Sequence, residues 1–329
     1  PQADWLHLGF LRYTASPFSI STSQAMWFKN LFIFRLTKWE ETPESLEDKL
    51  AKQALQACGG MDLQTRGWVS PKAEGEPFVH RSGQQLLISL GLEKKLLPST
   101  VINQFTKARA AEIEEREGYK PGRKQMKEIK EAVTDELLPR AFAIRSRINA
   151  WIDPQGKWLV IDAASPAKAD ELVGMLMKSV EGVAMALVKT KTSPTVAMTA
   201  WLAENDNPPP FTVDQDCELK SRGEQAATVR YVKHSLESEE IAKHIKGGKD
   251  VTKLAMTWAD KVSFVLHENL QVKRVAPLDV IKEQAALSAD DDAFDSDFAL
   301  MTGELRKLIP GLIDVLGGEL TGANSQLAA

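Results

Sequence analysis

Near its C-terminal end the chain crowds carboxylates: Asp290, Asp291 and Asp292 in a row, then Asp295 and Asp297. Clustered carboxylates can hold Mg²⁺ for phosphodiester cleavage. Adjacent aspartates point in different directions on any regular element, however, and no ordered apolar frame precedes Phe294. A solvated acidic loop is therefore the simpler reading, one that would keep DNA off that surface. The histidines are His7, His80, His234, His244 and His267; none falls in H-E-x-x-H or pairs with a cysteine at zinc spacing. G-x-S-x-G and G-x-G-x-x-G are absent, and Gly247-Gly248-Lys249 lacks the spacing of a nucleotide-binding phosphate loop. No cofactor and no resident metal are expected.

Cations form three groups. Arg140, Arg145 and Arg147 lie close together, and the planar fork of arginine suits phosphate. Lys120, Arg123, Lys124, Lys127 and Lys130 form a basic run, which Glu112–Glu117 could neutralise. Lys243, Lys246, Lys249 and Lys253 surround the glycine pair, which would let backbone approach a phosphate. Each group reads either as phosphate contacts or as ordinary surface charge.

The bulk numbers leave this open. The chain has 329 residues, 43% of them hydrophobic, and a net charge of −4, so composition alone argues against a nucleic-acid binder. The distribution says more. Lys94–Arg147 carries 13 basic and 8 acidic residues, a balance of +5, whereas Ala276–Phe298 carries one lysine and seven acids, a balance of −6. A basic face is compatible with a negative total. Cys58 and Cys217, the two cysteines, suit a reducing cytoplasm. No apolar run approaches the ~20 residues that span a membrane.

The elements that must position these groups follow from patterning. Trp27–Leu36 reads as a buried strand, followed by a helix capped by Thr42 with Pro43 at its first position and Leu46, Leu50 and Ala54 as its stripe. Gln85–Leu90 reads as a strand. Ser99–Glu117 (stripe Val101, Phe105, Ala108) and the run bearing Met126, Ile129, Val133 and Leu137 form a helical hairpin broken at Gly118–Gly122. Its charged flanks suit projection from the body. Trp151–Asp162 is a β-hairpin turning at Asp153-Pro154-Gln155-Gly156, and Ser165-Pro166 opens a helix carrying Leu172, Leu176 and Val180. The repeat of strand and Pro-started helix hints at an internal duplication. Asn205–Pro210 reads as a boundary or surface loop, Ser238 caps a short helix ending at Gly247-Gly248, and Lys261–Val275 is a second hairpin. A last helix, Leu300–Leu316, should kink or divide at Pro310.

The fold class expected is α+β, with mixed sheets, packed helices and a projecting helical hairpin. Residues 1–25 are expected to be an extension ahead of the folded unit, with Met26 as the start. Residues 26–200 form a central region with 98–139 as the hairpin, 201–319 a second region, and 320–329 a disordered tail.

Several segments resemble one family. MWFKNLFIFRL at Met26–Leu36, GWVSP at Gly67–Pro71, LLPRAFA at Leu137–Ala143 and the WID…VIDAAS hairpin at Trp151–Ser165 are similar to RdgC, a bacterial recombination-associated family. So are Ser238–Trp258 and Asp297–Leu305. The resemblance runs in order from Met26 to Glu319, and no piece of it is a catalytic signature. It implies a non-enzymatic homodimer closed into a ring around double-stranded DNA, bound without sequence preference, in the nucleoid, where it restrains RecA-driven recombination. On that resemblance Arg140, Arg145, Arg147, Lys120, Lys124, Lys127, Lys246, Lys249 and Lys253 are the candidate DNA contacts. Phe142 is the candidate anchor of the dimer interface, and Lys233 and His234 belong to a second, polar contact that could open to admit closed circular DNA. A metal-dependent DNA-processing enzyme built on the acidic run and a protein-interaction scaffold are the competing readings.

Overall fold

A computed structural model describes residues 26–223, 227–236, 239–287 and 292–320, with the backbone alone for 284–287. The described residues form an α+β fold of eight helices and a 12-stranded sheet in which every pairing is antiparallel. Residues 1–25, and with them the expected extension, lie outside the described residues, as do Ser238, Asp290, Asp291 and residues 321–329.

Strand β1 (Asn30–Lys38) sits at the centre. Its near-continuous apolar run is explained by burial on both faces: Leu31 and Ile33 enter one core, while Phe32, Phe34 and Leu36 enter another. One edge of β1 pairs with β6 (Trp158–Asp162). The other pairs at its start with β12 (Val272–Pro277) and at its end with β7 (Ala184–Leu187). From β6 the sheet continues through β5 (Ala143–Asp153) and β4 (Gln85–Lys95) to β2 (Gln64–Val69), with β3 (Val79–Ser82) also on β4. From β12 it continues through β11 (Val262–His267), β10 (Lys249–Trp258) and β8 (Phe211–Ser221) to β9 (Thr228–Tyr231).

Helices α1 (Pro43–Ala51) and α4 (Pro166–Ser179) cover one face, over β3 to β6. Thr42 Oγ1 caps α1 by accepting from Ser45 N at 3.1 Å, as its sequence predicts. Both expected hairpins form. Asp153 Oδ1 accepts from Gln155 N (3.1 Å) and Gly156 N (2.9 Å), which folds the β5–β6 turn, and β11 and β12 pair at Leu266 and Val272. The opposite face carries α5 (Pro194–Glu204), α6 (Glu239–Lys246), α7 (Asp279–Leu287) and α8 (Ala293–Val315). No helix among the described residues is long and apolar enough to cross a membrane.

Helices α2 (Ser99–Glu117) and α3 (Arg123–Leu137) form the expected hairpin, packed chiefly on each other. Gly118, at φ 77°, ends α2 in the left-handed conformation. The inward stripe of α3 holds, with Ile129 and Val133 buried. That of α2 is shifted by one residue: Ile102, Thr106, Ala110 and Ile113 turn inward, while Val101 is half-buried and Phe105 and Ala108 are exposed. The observed stripe runs on to Ile113, whereas the expected one meets Glu112 one turn beyond Ala108.

Helix α8 corrects the expected start of the last helix: it begins at Ala293 rather than Leu300, and Pro310 does not divide it. A proline inside a helix costs ~3 kcal/mol. Leu308, Ile309, Leu312 and Ile313 on either side of it are all buried, each contributing ~1.5–3 kcal/mol, so packing outweighs the lost hydrogen bond.

Gly67 faces Gly91 across β2 and β4, and the segment Gln53–Leu55 crosses over Gly67, with Leu55 N donating to Trp68 O at 2.9 Å. A Cβ on Gly67 would lie 2.5 Å from backbone atoms of Leu55. Gly67→Ala should therefore cost about 1–3 kcal/mol in urea unfolding. Gly60→Ala, whose Cβ meets nothing within 4 Å, should stay within about 0.5 kcal/mol. Equal stabilities for the two variants would contradict this packing.

Candidate nucleic-acid and self-association surfaces

Pro139 stops α3 and opens a single 3-10 turn, Leu138–Arg140, from which the chain enters β5. The first five residues of β5 are exposed and the last six line the core or its edge, so the strand overruns the core towards the helical hairpin. Leu96 N donates to Phe142 O at 2.6 Å, which makes Phe142 the last rung of the β4–β5 ladder. Strand alternation then places Phe142, Ile144 and Leu96 on one face and Arg145 and Arg147 on the other. Phe142 is 84% exposed, the largest value for a large apolar side chain among the described residues, beside Ile144 at 51% and Leu96 at 47%. An apolar patch and a cationic face thus meet where β5 begins.

Arg140 is exposed, and among the described residues it pairs with no carboxylate. Arg145 Nε donates to Glu93 Oε2 at 2.6 Å, and Arg147 Nη1 donates to Pro71 O at 3.0 Å. Asp135 and Glu136 do not take these arginines; Glu136 instead joins the hairpin helices through Arg109 at 2.9 Å. Glu93 is buried, and the Cys58 amide together with the Arg145 guanidinium holds its carboxyl below the usual range. Gly91, Arg145 and Arg147 help line a cleft of about 640 Å³ between Leu55 and the 70–78 loop.

The tip of the hairpin carries Lys120, Lys124 and Lys127. Lys120 lies 4.0 Å from Glu114 and Lys127 lies 3.7 Å from Glu131, while Lys124 makes no ion pair among the described residues. Glutamates therefore offset part of this group.

At α6 and β10, Lys246 is exposed and unpaired among the described residues. Lys249 Nζ donates to His244 Nδ1 at 3.4 Å, and Lys253 lies 2.9 Å from Glu218. The glycine pair does not offer its amides outward. Gly247 N donates to Lys243 O and Gly248 N to Ile245 O, both at 2.9 Å, because the pair ends α6 with Gly248 at φ 83°. The lysines remain as candidates; the backbone cradle does not.

Lys233 and His234 lie on the exposed segment after β9. Lys233 N donates to Asp216 Oδ1 at 2.8 Å, and the His234 ring packs 5.2 Å from Tyr231. In strand order this segment is at the far end of the sheet from β5.

The described part of the acidic run builds the start of α8. Asp292 Oδ1 accepts from Phe294 N at 3.0 Å, and Lys72 Nζ reaches Asp292 at 2.6 Å and Asp295 at 3.2 Å. His80 lies 3.3 Å from Asp295, and Asp297 Oδ2 accepts from Met26 N at 3.1 Å. These carboxylates cap the helix and tie it to the 70–80 segment and to Met26, ahead of β1. Among the described residues no three His, Cys, Asp or Glu side chains are grouped as metal ligands.

The sequence reading passed over Lys273, Arg230 and Lys220. Together with Lys253 and Glu218 they occupy the face of β8 to β12 turned away from the helices. The signal was present in the alternation of Cys217–Lys220 and Thr228–Tyr231, but sheet order was needed to bring the cations together.

A family model described as "Putative exonuclease, RdgC" matches residues 26–319. The recombination-associated protein RdgC of Herminiimonas arsenicoxydans is 57% identical over 297 residues, covering 89% of this chain and 99% of its own length. That of Janthinobacterium sp. (strain Marseille) is 55% identical over 298 residues, covering 90% and 99%. That of Bordetella pertussis is 54% identical over 297 residues, covering 89% and 99%. On this match the chain belongs to the RdgC family.

Proposed function

We propose that the protein is a homodimeric, non-enzymatic clamp on double-stranded DNA. It binds without sequence preference in the nucleoid and restrains RecA-dependent recombination. The observation that carries this reading is the exposed Phe142, which immediately precedes the strand bearing Arg145 and Arg147 and follows Arg140 by two residues. An aromatic this exposed costs free energy in water and gains it in a partner's pocket. The Lys233–His234 segment is seven strand spacings from β5, about 34 Å along the sheet order. Two self-contacts that far apart are what a ring of two subunits requires. The polar segment is the contact that opens for circular DNA, since separating it exposes little apolar surface.

The cations supply affinity through phosphate neutralisation and counterion release. Arg140, Lys124 and Lys246 are the most available, since their side chains make neither an ion pair nor a hydrogen bond among the described residues. The relatives' name, recombination-associated protein, supports DNA as the partner. The word exonuclease in the family description makes cleavage the reading to test against.

Fluorescence anisotropy with two unrelated labelled duplexes should give equal affinities and a steep salt dependence. Arg140→Ala with Arg145→Ala should flatten the log–log slope by about 1.8, at about 0.9 per phosphate contact. Absence of binding at low salt would leave the scaffold reading in its place. Nicking of plasmid by purified protein with Mg²⁺ or Mn²⁺, abolished by Asp291→Ala, would overturn the non-enzymatic reading.

Phe142→Ala should weaken self-association by about 2 kcal/mol or more, roughly 30-fold in the dimer Kd, read by sedimentation across a concentration series. An unchanged Kd would remove Phe142 from the interface.

A further inference from the structure

The sheet is covered unequally. Apart from Ala255, which faces the other way, every buried apolar side chain of β8, β10, β11 and β12 belongs to the core beneath α5, α6, α7 and α8. The other face of these strands contributes nothing to the second core, and neither α1 nor α4 packs on it. Cations gather there. Lys253 stands opposite His267 on β11 and Glu218 on β8, Arg230 stands opposite Glu218 from β9, and Lys273 stands opposite Val265. Lys220 is exposed two residues beyond Glu218 on the same strand.

Glu218 is the counter-ion of this group. Its carboxylate lies 2.9 Å from Lys253 Nζ, bonds Arg230 Nε, and accepts from Thr252 Oγ1 at 3.2 Å. The Glu218 side chain is 11% exposed, whereas that of Arg230 is 68% exposed. The acid is thus beneath and the cation outside. Lys273 and Lys220 pair with no carboxylate among the described residues. His267, among these cations, is pushed down to about 4 by burial first and then by Lys273 and Lys253, so it adds no charge near pH 7. Asp214 also lies towards this face, further along, where Thr257 Oγ1 donates to it at 3.0 Å.

Like charges brought together on a bare sheet repel one another unless an anion joins them. We propose that this uncovered face is a phosphate-backbone contact surface for duplex DNA, formed by Lys220, Arg230, Lys253 and Lys273, and that Glu218 limits its strength by competing with phosphate for Arg230 and Lys253. The proposal rests on the duplex-binding reading above and adds a surface distinct from the Arg140–Arg147 strand. A face of short strands with no protruding element reaches phosphates and not base edges, as binding without sequence preference requires.

The test is duplex anisotropy across a salt series with three proteins: wild type, Lys220→Gln/Lys273→Gln, and Glu218→Gln. The double variant removes two unpaired cations and leaves the Glu218 cluster intact. It should lose about tenfold or more in affinity at 0.1 M salt and about 1.8 from the slope. Glu218→Gln should bind more tightly than wild type, with a steeper slope. A far-ultraviolet melting curve identifies a variant that has lost its fold, and the double variant decides the matter if Glu218→Gln does so. If wild type binds duplex and the double variant matches it in affinity and slope, this surface is overturned while the clamp reading stands. If wild type does not bind, both fall.

Discussion

The fold depends on β1 being buried on both faces at once. Phe32, Phe34 and Leu36 fill the core under α1 and α4, and Leu31 and Ile33 fill the core under α5 and α8. The strand also joins the two halves of the sheet by hydrogen bonds, since Leu31 pairs with Asp162 of β6 on one edge and Val272 of β12 on the other. A polar residue at any of these positions would open a core, whichever way it pointed. The C-terminal segment is fastened to the same strand: Arg35 bonds Glu319 and Gly156 O while lying 3.3 Å over the Trp158 ring.

The first half of the sheet is buried on both faces, with Leu87, Trp151 and Val160 in one core and Ile88, Ile152 and Leu159 in the other, whereas the second half has helices on one face alone. In the first half β4 and β5 run past the core and present Phe142, Ile144 and Leu96 on one side and two arginines on the other. In the second half the bare face is that of β8 to β12. Surface chemistry follows from this offset: on the bare face of β8 to β12, positions that a second layer would bury carry mostly polar and charged residues, Glu218, Lys220, Arg230, Lys253, His267 and Lys273 among them.

Much of this was legible in the sequence. The Thr42-Pro43 cap, the Asp153–Gly156 turn, the Gly118–Gly122 break and the Gly247-Gly248 stop are local signals read within a few residues, and each stands where it was expected. Non-local competition decided the rest. The run through Pro310 stays helical because four buried side chains hold it, and α2 turns by one residue because only one of two stripes lasts its full length. Sheet order, which brings Arg230, Glu218, Lys253 and Lys273 together from four strands, has no local signature. The glycine pair shows the converse: its composition suited a phosphate cradle, but the carbonyls ending α6 had first claim on its amides.

A net charge of −4 is no obstacle to presenting cations outward, and the reason is depth rather than number. Acids recur beneath their partners: Glu93 under Arg145, with side-chain exposures of 7% and 64%, Glu218 under Arg230, Asp153 under Arg306 and Glu304 under Lys307. A buried carboxylate is costly unless it is bonded, so it fixes the cation above it, and the cation's remaining donors face solvent. A phosphate approaching from outside meets the guanidinium first and the carboxylate through it. Total charge counts the two as zero, whereas a ligand at the surface does not.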